Sequence, residues 1–399
     1  MSLNSFASSP KKTNSTSDRF LPENRSPQRF SPVSRIKQPK SIHFESELYE
    51  SLVNGVHPDK KFLHSNSIRS IENNINNPYC SQSQYSRPPM KMMEVTGIHS
   101  DFYLHPLDWS ANNVAAISLK GMIGLFSPQW EDFIVMQEGY YDPSALCFSN
   151  DANKLTVATS SGRLLSVDID VVRIAAVHVH SYFYVTIIKK FDSGNIFGDI
   201  IGNLYITDNR DTKNTVFRMR AHEREICNIV RSPLRPYIST GSNDNLVKIW
   251  DERNMDAPLM KYAAHKAAVR AMDWSPRDSS IIVTAGGLTD KMMYMWDVNT
   301  GETHKSALTG SQTCNIVWNE FHDVLISSQG FNTNQIYVWN SENLSVIDNI
   351  DYHNGRILYM AQSLDQEYIL SASPDGSCNI WNLFGKPLSL SKKYMFSLR

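Results

Sequence analysis

The sequence predicts an all-β fold, a closed β-propeller of seven blades, and three observations support it. The first is a repeat, because four tryptophans that each end a short apolar run recur every 42 to 46 residues. They are Trp250, Trp296, Trp339 and Trp381. A unit of this length holds about four short strands, and one small sheet cannot bury both of its faces alone. The units must therefore stack around a common axis.

The second observation is a histidine that stands 28 to 31 residues before three of these tryptophans: His222, His265 and His353. Asp251 and Asp297 directly follow two of the tryptophans. Together these residues form the Gly-His to Trp-Asp signature of a WD repeat, in a worn form. We interpret them as structural. The histidine before the first strand hydrogen-bonds an aspartate in the tight turn of its blade, and the tryptophan packs at the base.

The third observation is the residue content of the turns. Clusters of Gly, Asn, Asp and Ser fall just before the strand that ends each signature, at 161–162, 202–203, 243–245 and 374–376. Degenerate copies of the repeat end upstream at Ser127, Asp168 and Asp208, which brings the number of blades to seven. The prediction is thus a seven-bladed WD-repeat propeller. We expect no calcium site in its aspartate-containing turns.

Composition divides the chain into three parts. Residues 89–384 are predicted to form the propeller, residues 1–88 a disordered regulatory arm, and residues 385–399 a short C-terminal tail. The arm is dominated by Ser, Asn, Pro, Lys and Arg and shows no sustained strand or helix period. The whole chain of 399 residues has a net charge of −1, yet its first forty residues hold eight Lys or Arg against two acidic residues. The arm, not the propeller, is therefore the basic part.

Several function classes find no support in the motifs. The sequence has no Gly-x-Ser-x-Gly elbow, no phosphate-binding Gly-Lys-Ser/Thr loop and no His-Glu-x-x-His pair, so we predict no enzyme, no cofactor and no metal. His178 and His180 are open to two interpretations, a ligand pair or an ordinary strand surface. The basic run contains no interleaved aromatic residues that could stack on bases, so we expect no nucleic-acid partner.

The sequence also argues against a membrane protein. No apolar stretch approaches the length of about 18 to 20 residues that a membrane span needs, and the N-terminus shows no apolar signal core. We therefore predict a soluble intracellular protein. Five cysteines show no paired spacing and are expected to be buried and reduced: Cys80, Cys147, Cys227, Cys314 and Cys378.

Longer motifs carry a narrower resemblance. Four stretches are involved: the run from Lys91 to Ser110, which includes Asp-Phe-Tyr-Leu-His-Pro-Leu-Asp-Trp-Ser, and the runs Gly241–Asn245, Gly310–Trp318 and Gly330–Trp339. They resemble the Fizzy and Fizzy-related co-activators of the anaphase-promoting complex. The resemblance is collinear from about Lys91 to Trp381 and is weakest between residues 170 and 215.

This resemblance implies a substrate-recognition activator of the anaphase-promoting complex, a ubiquitin ligase. Such a protein binds KEN-box and destruction-box degrons and promotes the ubiquitination and proteolysis of cell-cycle or meiotic regulators. The implied partners are degron-bearing substrates, helical-repeat subunits of the ligase and a cyclin-dependent kinase, in the nucleus and cytoplasm. The rival interpretation is a non-catalytic WD-repeat scaffold or inhibitor that binds the ligase without delivering substrates. The worn repeats suggest a divergent member, for example one specialised for meiosis.

Two tail motifs are similar to the segments with which that family docks on the ligase. The first is a C-box-like segment with one extra residue before its last arginine: Asp18, Arg19, Phe20, Leu21, Pro22 and Arg25. At the other end, Leu398 and Arg399 match the family's terminal Ile-Arg. The resemblance implies that this pair docks in a groove on a helical-repeat subunit. The alternative is a terminus that matches by chance.

The resemblance also implies a KEN-box site on the top face of the propeller. Four positions match in residue type: Asp108, Asn243, Gln312 and Arg356. This polar set suits a lysine, a carboxylate and an amide. The alternative is that Asn243 caps a turn while Gln312 and Arg356 are solvated loop residues.

The destruction-box site of the family lies between the first and last blades. Asp101 matches the first of its acidic residues, but Gly376 stands where the family has a second acid, a glutamate. Loss of one carboxylate partner of an exposed arginine costs about 0.2 to 1 kcal/mol. We therefore predict a weaker or altered preference for destruction boxes.

Three Ser-Pro pairs in the arm are candidate sites for a cyclin-dependent kinase: Ser9, Ser26 and Ser31. Ser9 begins a Ser-Pro-x-Lys pattern, and the other two flank the C-box-like segment. Three phosphates would add a charge of roughly −4.5 to −6 at neutral pH and nearly cancel the basic charge of the arm. We hypothesise that phosphorylation weakens docking to the ligase.

Overall fold

The structure is a computed structural model that describes residues 88–129, 134–137, 142–169, 173–179, 183–191, 194–208, 211–331 and 333–385. Within these ranges the chain forms 28 strands, arranged as seven antiparallel sheets of four strands each, and no helix. The predicted seven-bladed, all-β propeller is confirmed. No helix in the described part of the chain has the length and apolar composition to cross a bilayer.

Six blades are meanders of four consecutive strands. The first consists of β2 (Leu107–Trp109), β3 (Ala115–Leu119), β4 (Met122–Phe126) and β5 (Ile134–Gln137). The second consists of β6 (Pro143–Phe148), β7 (Lys154–Thr159), β8 (Arg163–Asp168) and β9 (Arg173–Val179). The third consists of β10 (Val185–Lys190), β11 (Gly194–Asp199), β12 (Asn203–Asp208) and β13 (Asp211–Arg220).

The next three blades follow the same order. The fourth consists of β14 (Ile226–Arg231), β15 (Tyr237–Ser242), β16 (Val247–Asp251) and β17 (Met260–Tyr262). The fifth consists of β18 (Val269–Trp274), β19 (Ile281–Gly286), β20 (Met292–Asp297) and β21 (Thr303–Leu308). The sixth consists of β22 (Thr313–Asn319), β23 (Val324–Gln329), β24 (Ile336–Asn340) and β25 (Val346–Ile350). Every predicted repeat signature ends in or directly after the third strand of its blade.

The seventh blade closes the ring with a strand from the other end of the fold. It contains β26 (Tyr359–Gln362), β27 (Ile369–Ala372) and β28 (Ser377–Trp381), and its outermost strand is β1 (Lys91–Glu94). Lys91 pairs with Ile380 and Glu94 with Ser377 in antiparallel register. No local pattern in the sequence predicts the pairing of β1 with β28.

The first strand of each blade faces the axis of the propeller. These seven strands contact one another in order around the ring, which closes where β26 meets β2. Apolar side chains fill the space between adjacent sheets. For example, Tyr262 of the fourth blade stacks on Trp296 of the fifth, with ring centroids 4.2 Å apart. Burying side chains of this size stabilises the fold by about 1.5 to 3 kcal/mol each.

The predicted histidine-to-aspartate hydrogen bond is confirmed in the fourth blade and in the fifth, where the Nδ1 of His265 lies 2.6 Å from Asp290. In the fourth blade, the Nδ1 of His222 lies 2.9 Å from Asp244 and its Nε2 lies 2.8 Å from the hydroxyl of Thr240. A carboxylate can only accept, so Nδ1 carries the hydrogen. Trp250 donates from Nε1 to the same Thr240 hydroxyl at 2.8 Å. The signature therefore ties the loop before the blade, its tight turn and its third strand together.

The seventh blade builds this network differently. The Nδ1 of His353 contacts the hydroxyl of Ser377 at 2.5 Å, and Ser377 in turn donates to Asp375 at 2.5 Å. Ser377 thus stands between the histidine and the aspartate of the turn. On the other side, the Nε2 of His353 lies 2.7 Å from the hydroxyl of Ser371. Burial lowers the pKa of His353 to about 4.

The third blade forms where the family resemblance is weakest, and it uses a different buried network. Asp199 accepts from the backbone nitrogen and the side-chain amide of Asn203, both at 2.8 Å, and from the hydroxyl of Tyr205 at 2.9 Å. Tyr205 also stacks on Phe197 with a centroid distance of 4.7 Å. An aspartate, an asparagine and a tyrosine here replace the histidine and tryptophan of the common signature.

A buried segment before β2 closes one end of the central channel. We call residues Phe102–His105 the plug segment. Its first three side chains are buried in a cluster with Cys227 and Cys314 and other residues from distant blades. His105 crosses the axis and donates from Nε2 to the carbonyl oxygen of Cys227 in the fourth blade at 2.5 Å.

Arg270 of β18, the inner strand of the fifth blade, also binds the plug segment. Its buried guanidinium donates to the carbonyl oxygen of Leu104 at 2.7 Å, to that of Leu358 at 2.9 Å, and to that of Cys314. The same guanidinium lies over the rings of Phe102 and Tyr359, 5.5 and 5.7 Å from their centroids. One cation on the fifth blade thus joins the sixth blade, the loop before the seventh and the plug segment.

We expect Arg270→Lys to lower the free energy of unfolding by about 2 to 4 kcal/mol. A lysine has one compact ammonium and cannot reach three carbonyl oxygens in different directions, so buried acceptors would be left unpaired. Urea unfolding measures the effect. The matched control is Arg253→Lys, because the Arg253 side chain is 72% exposed and its ion pair with Asp251 should contribute little. Equal small effects of the two substitutions would contradict a central role for Arg270.

We expect His353→Asn to remove part of the pH dependence of stability. The pKa of His353 is about 4 in the folded chain against 6.5 for the ordinary group, so the unfolded chain takes up this proton first as the pH falls. This contribution to stability is fully present above pH 6.5 and is lost as the pH falls through about 4. The loss amounts to roughly 3 kcal/mol.

Urea unfolding at a series of pH values tests this prediction. Between pH 6.5 and 4, wild type should lose about 3 kcal/mol more stability than His353→Asn. The control is His304→Asn, which removes a histidine that is exposed rather than buried. Parallel stability curves for wild type and His353→Asn would show that the predicted linkage is wrong.

Candidate functional site

One face of the propeller gathers most of the residues singled out in the sequence. In an antiparallel meander, the start of the first strand lies at the same edge as the turn between the second and third strands. The loops before the inner strands and these turns therefore form one face, which we call the upper face. Asp101 and Arg356 lie in loops before inner strands, Gln312 directly precedes β22, and Asn243 and Gly376 lie in second-to-third-strand turns.

Asp101 is held in a bend next to the plug segment. Its carboxylate accepts from the backbone nitrogen of Tyr103 at 2.9 Å, and its carbonyl oxygen accepts from the hydroxyl of Tyr359 at 2.8 Å. The side chain is half-buried. Asp101 is therefore held by the plug segment and by the seventh blade, near the junction where the family resemblance implies a destruction-box site.

Asn243 lies in the turn between β15 and β16 of the fourth blade. Its backbone nitrogen donates to the carbonyl oxygen of Glu225 at 3.0 Å. The hydroxyl of Tyr103 reaches its Oδ1 at 3.4 Å. This contact joins the Asn243 side chain to the plug segment.

Arg356 lies in the loop before β26 and contacts two other loops. Its guanidinium lies 4.3 Å from the centroid of the Phe331 ring. Its Nη2 donates to the hydroxyl oxygen of Ser100 at 3.1 Å and to the Ser100 carbonyl oxygen at 3.3 Å. A half-buried cation is therefore held between the sixth blade and the segment that leads into the first blade.

Gln312 lies at the same face but below its surface. Its side chain is 0% exposed, and the turn that follows β23 covers it. The backbone nitrogen of Gly330 donates to the Gln312 carbonyl oxygen at 2.7 Å. A Cβ atom on Gly330 would stand only 2.7 Å from the Oε1 of Gln312, so any larger residue at this position would have to displace the Gln312 side chain. Gln312 supports the upper face from beneath in this structure.

Asp108 is not brought together with the other three matched residues. It lies within β2, and its carboxylate accepts at 2.7 Å from the backbone nitrogen of Phe148, the last residue of β6. Because β6 runs away from the upper face, this contact lies towards its opposite end. Asp273 of the fifth blade has the same arrangement with the nitrogen of Trp318, at 2.8 Å. Both carboxylates join successive inner strands.

These two aspartates also line a cavity of about 650 Å³ in the channel beyond the plug segment, together with Lys189 and Arg270. Burial raises the pKa of Asp108, and it raises the pKa of Asp273 to about 6. The Lys189 ammonium partly opposes both shifts. None of Asn243, Gln312 and Arg356 lines this cavity.

Gly376 lies in the turn between β27 and β28, next to the closing strand. Its carbonyl oxygen accepts from the backbone nitrogen of Val95 at 2.7 Å, and its φ of +92° lies in the left-handed region. The neighbouring Asp375 is exposed, and its carboxylate accepts from the backbone nitrogens of Gly355 at 2.7 Å and Ser377 at 2.8 Å. Burial opposes ionisation, but these hydrogen bonds and that of the Ser377 hydroxyl outweigh it and lower the pKa of Asp375.

Several predicted residues lie outside the described part of the chain. They are the C-box-like residues Asp18, Arg19, Phe20, Leu21, Pro22 and Arg25, the tail residues Leu398 and Arg399, the candidate phosphorylation sites Ser9, Ser26 and Ser31, and also His180 and Cys80. The four described cysteines are buried, as predicted, and form no disulfide with one another. Among the described residues, no three His, Cys, Asp or Glu side chains converge on a point that could hold a metal ion.

Sequence reasoning missed three residues that shape the upper face: Ser100, Tyr103 and Phe331. Ser100 directly precedes Asp101, Tyr103 follows Asp101 by two positions, and Phe331 follows a glycine in one of the motif stretches. An aromatic residue in a polar, glycine-containing turn was the available signal for Phe331. No local signal shows that Ser100 and Tyr103 contact residues more than a hundred positions away.

Comparison with known proteins agrees with this fold. A family model for the CDC20/Fizzy WD40 domain matches residues 93–381. The Arabidopsis thaliana protein "Cell division cycle 20.5, cofactor of APC complex" is 28% identical over 324 residues, which cover 76% of this chain and 70% of that protein. "Meiotic fizzy-related protein 1" of Schizosaccharomyces pombe is 28% identical over 333 residues, covering 82% and 79%. A chain in the crystal structure of a mitotic checkpoint complex shares the fold, with a TM-score of 0.71, 24% identity, and coverage of 79% of this chain and 99% of that one.

Proposed function

The chain belongs to the CDC20/Fizzy WD40 family, and on that premise we propose that it is a substrate-recognition activator of the anaphase-promoting complex. In this role it binds KEN-box and destruction-box degrons and promotes the ubiquitination of cell-cycle or meiotic regulators. The names of its relatives support the ligase as a partner, because they include a cofactor of the APC complex and an anaphase-promoting complex subunit. The protein itself needs no catalytic group, cofactor or metal for this role.

One observation carries the degron part of the proposal. The segment Ser100–Tyr103 contacts Arg356 through Ser100 and Asn243 through Tyr103, and it contains Asp101. A cation, an amide and a carboxylate are thus fixed on the upper face by one short piece of chain. Arg356 suits the glutamate of a KEN box, the amide of Asn243 suits its polar neighbours, and Asp101 suits the arginine of a destruction box.

The remaining parts of the proposal rest on the sequence resemblance. We propose that the C-box-like segment and Leu398-Arg399 dock on helical-repeat subunits of the ligase. A cyclin-dependent kinase would regulate this docking through Ser9, Ser26 and Ser31, in the nucleus and cytoplasm.

Two observations favour a second candidate, a scaffold or inhibitor that binds the ligase without delivering substrates. Gln312 is fully buried and Asp108 points into the channel wall, so two of the four residues matched to the KEN-box site do not present side chains at the upper face. Gly376 also lacks the carboxylate of the second acidic position. The two candidates differ in whether a degron-bearing substrate becomes ubiquitinated.

Addition of the purified chain to co-activator-free anaphase-promoting complex should stimulate ubiquitination of a substrate that has a KEN box and a destruction box. Arg356→Gln should reduce this activity, because it removes the cation from the upper face but keeps a polar side chain. Arg253→Gln is the matched control, since Arg253 is exposed and lies in the turn after β16, at the opposite face. A version without Leu398-Arg399 should lose activity through weaker docking.

The outcomes separate the two candidates. Binding to the ligase without ubiquitination would establish the scaffold or inhibitor. Failure to bind the ligase at all would mean that the chain shares only the fold and the ancestry of its relatives.

Gly376→Glu should bind a destruction-box peptide up to about fivefold more tightly than Gly376→Gln, because only the glutamate restores a carboxylate partner for the arginine of the peptide. Comparing Gly376→Glu with wild type alone would not isolate the effect of the carboxylate, because wild type has no side chain at this position. A side chain at a φ of +92° is strained in both variants, at a cost of about 1 to 2 kcal/mol in stability. Space is not limiting, since the nearest atom to an added Cβ is 3.5 Å away. Isothermal titration with one peptide measures the ratio, and equal affinities would show that this position does not receive the arginine.

A further inference from the structure

We propose that Phe331 is a positioning residue that sets the selectivity of the upper face for carboxylate-bearing peptides. Its ring holds the guanidinium of Arg356 in place, so that this cation distinguishes a glutamate in a ligand from the isosteric glutamine. The inference rests on the proposed function, because it assigns the ligand chemistry of the same face.

The Phe331 ring is presented to solvent by a well-anchored turn. Residues 330 and 331 follow β23, and two hydrogen bonds join their backbone to the loop before β22. The backbone nitrogen of Gly330 donates to the Gln312 carbonyl oxygen at 2.7 Å, and the Ser311 hydroxyl donates to the carbonyl oxygen of Phe331. The ring remains 39% exposed. A single exposed aromatic residue is common on protein surfaces. The informative feature of Phe331 is the side chain that lies over its ring.

Arg356 covers the ring at the distance of a cation–π contact. The 4.3 Å between its guanidinium carbon and the ring centroid is well within the limit of about 6 Å for such contacts. Among the described residues, the hydrogen-bond acceptors of this guanidinium are the two oxygens of Ser100, and both bind Nη2. A guanidinium has five N–H donors, so donors remain for a ligand in this part of the structure.

The two contacts fix the direction of the guanidinium without neutralising it. Phe331 and Ser100 are both uncharged, and the side chain is half-buried, so its charge is less screened than that of a fully exposed arginine. A long side chain that is already ordered loses less entropy when it binds a carboxylate. Without the ring, only the Nη2 hydrogen bonds to Ser100 would hold Arg356, and its guanidinium would adopt several orientations.

This arrangement predicts a particular ligand preference. A carboxylate forms charge-assisted hydrogen bonds with a fixed guanidinium, whereas a glutamine amide of the same shape offers only a neutral oxygen. We expect wild type to bind a peptide with a Lys-Glu-Asn core roughly tenfold more tightly than its Lys-Gln-Asn counterpart. The preference should depend on an aromatic ring at position 331, not on the presence of Arg356 alone.

The experiment measures the affinity of the full chain for both peptides by fluorescence anisotropy, with thermal unfolding as a check of folding. Phe331→Leu keeps an apolar side chain but removes the ring, so the preference for the glutamate peptide should fall to about threefold or less. Phe331→Tyr should restore it. Arg356→Lys is a second test of the ring contact. It keeps the charge but loses the planar group that stacks on the ring, so it should also reduce the preference for the glutamate peptide.

Phe321→Leu is the matched control, since Phe321 is 42% exposed but lies in the loop between β22 and β23 at the opposite face. Its peptide preference should equal that of wild type. A wild-type preference that survives in Phe331→Leu would overturn the inference and leave the proposed function intact. A wild-type chain that binds neither peptide would overturn the degron-binding function, and the inference with it.

Discussion

The guanidinium of Arg270 is the contact on which the centre of the propeller depends. A ring of seven sheets has an axial channel lined by the edges of its inner strands, and the backbone groups of a segment that enters this channel need partners. Arg270 supplies donors to three carbonyl oxygens from different parts of the ring, and His105 supplies a fourth contact across the axis. The plug segment is thereby held in one position. Ser100 and Asp101 directly precede this segment, Ser100 contacts Arg356, and Tyr103 within the segment contacts Asn243. The positions of these upper-face residues therefore depend on the position of the plug segment.

The same organisation explains why polar residues of similar type have different surroundings. Asp101 and Asp108 are seven residues apart, yet one lies at the upper face and the other between two inner strands. The carboxylate of Asp108 is committed to the nitrogen of Phe148, and Asp273 repeats that arrangement four blades further on. A carboxylate in such a position is part of the join between blades. Residue type alone therefore does not separate a ligand-binding aspartate from a structural one.

The sequence was sufficient to predict what depends on local spacing. The tryptophan repeat located the third strand of four blades, and its degenerate copies located that of the other three. The histidine spacing predicted a hydrogen bond to an aspartate in the tight turn of the same blade, and the structure has this bond at Asp244 and Asp290. Contacts between distant segments could not be predicted in this way. The pairing of β1 with β28, the burial of Gln312 beneath Gly330, and the insertion of Ser377 between His353 and Asp375 depend on tertiary register and on single side chains. For the same reason, the resemblance grouped Asp108 with residues from which the structure separates it.

The pairing of β1 with β28 determines where the two chain extensions begin. Lys91 stands opposite Ile380, and the backbone nitrogen of Met90 donates to the Ile380 carbonyl oxygen at 2.8 Å. The arm and the tail thus leave the same blade from adjacent backbone positions. Two weak contacts made by these extensions with one large partner would act as a bivalent tether with a shared anchor, so that the first contact raises the effective concentration of the second.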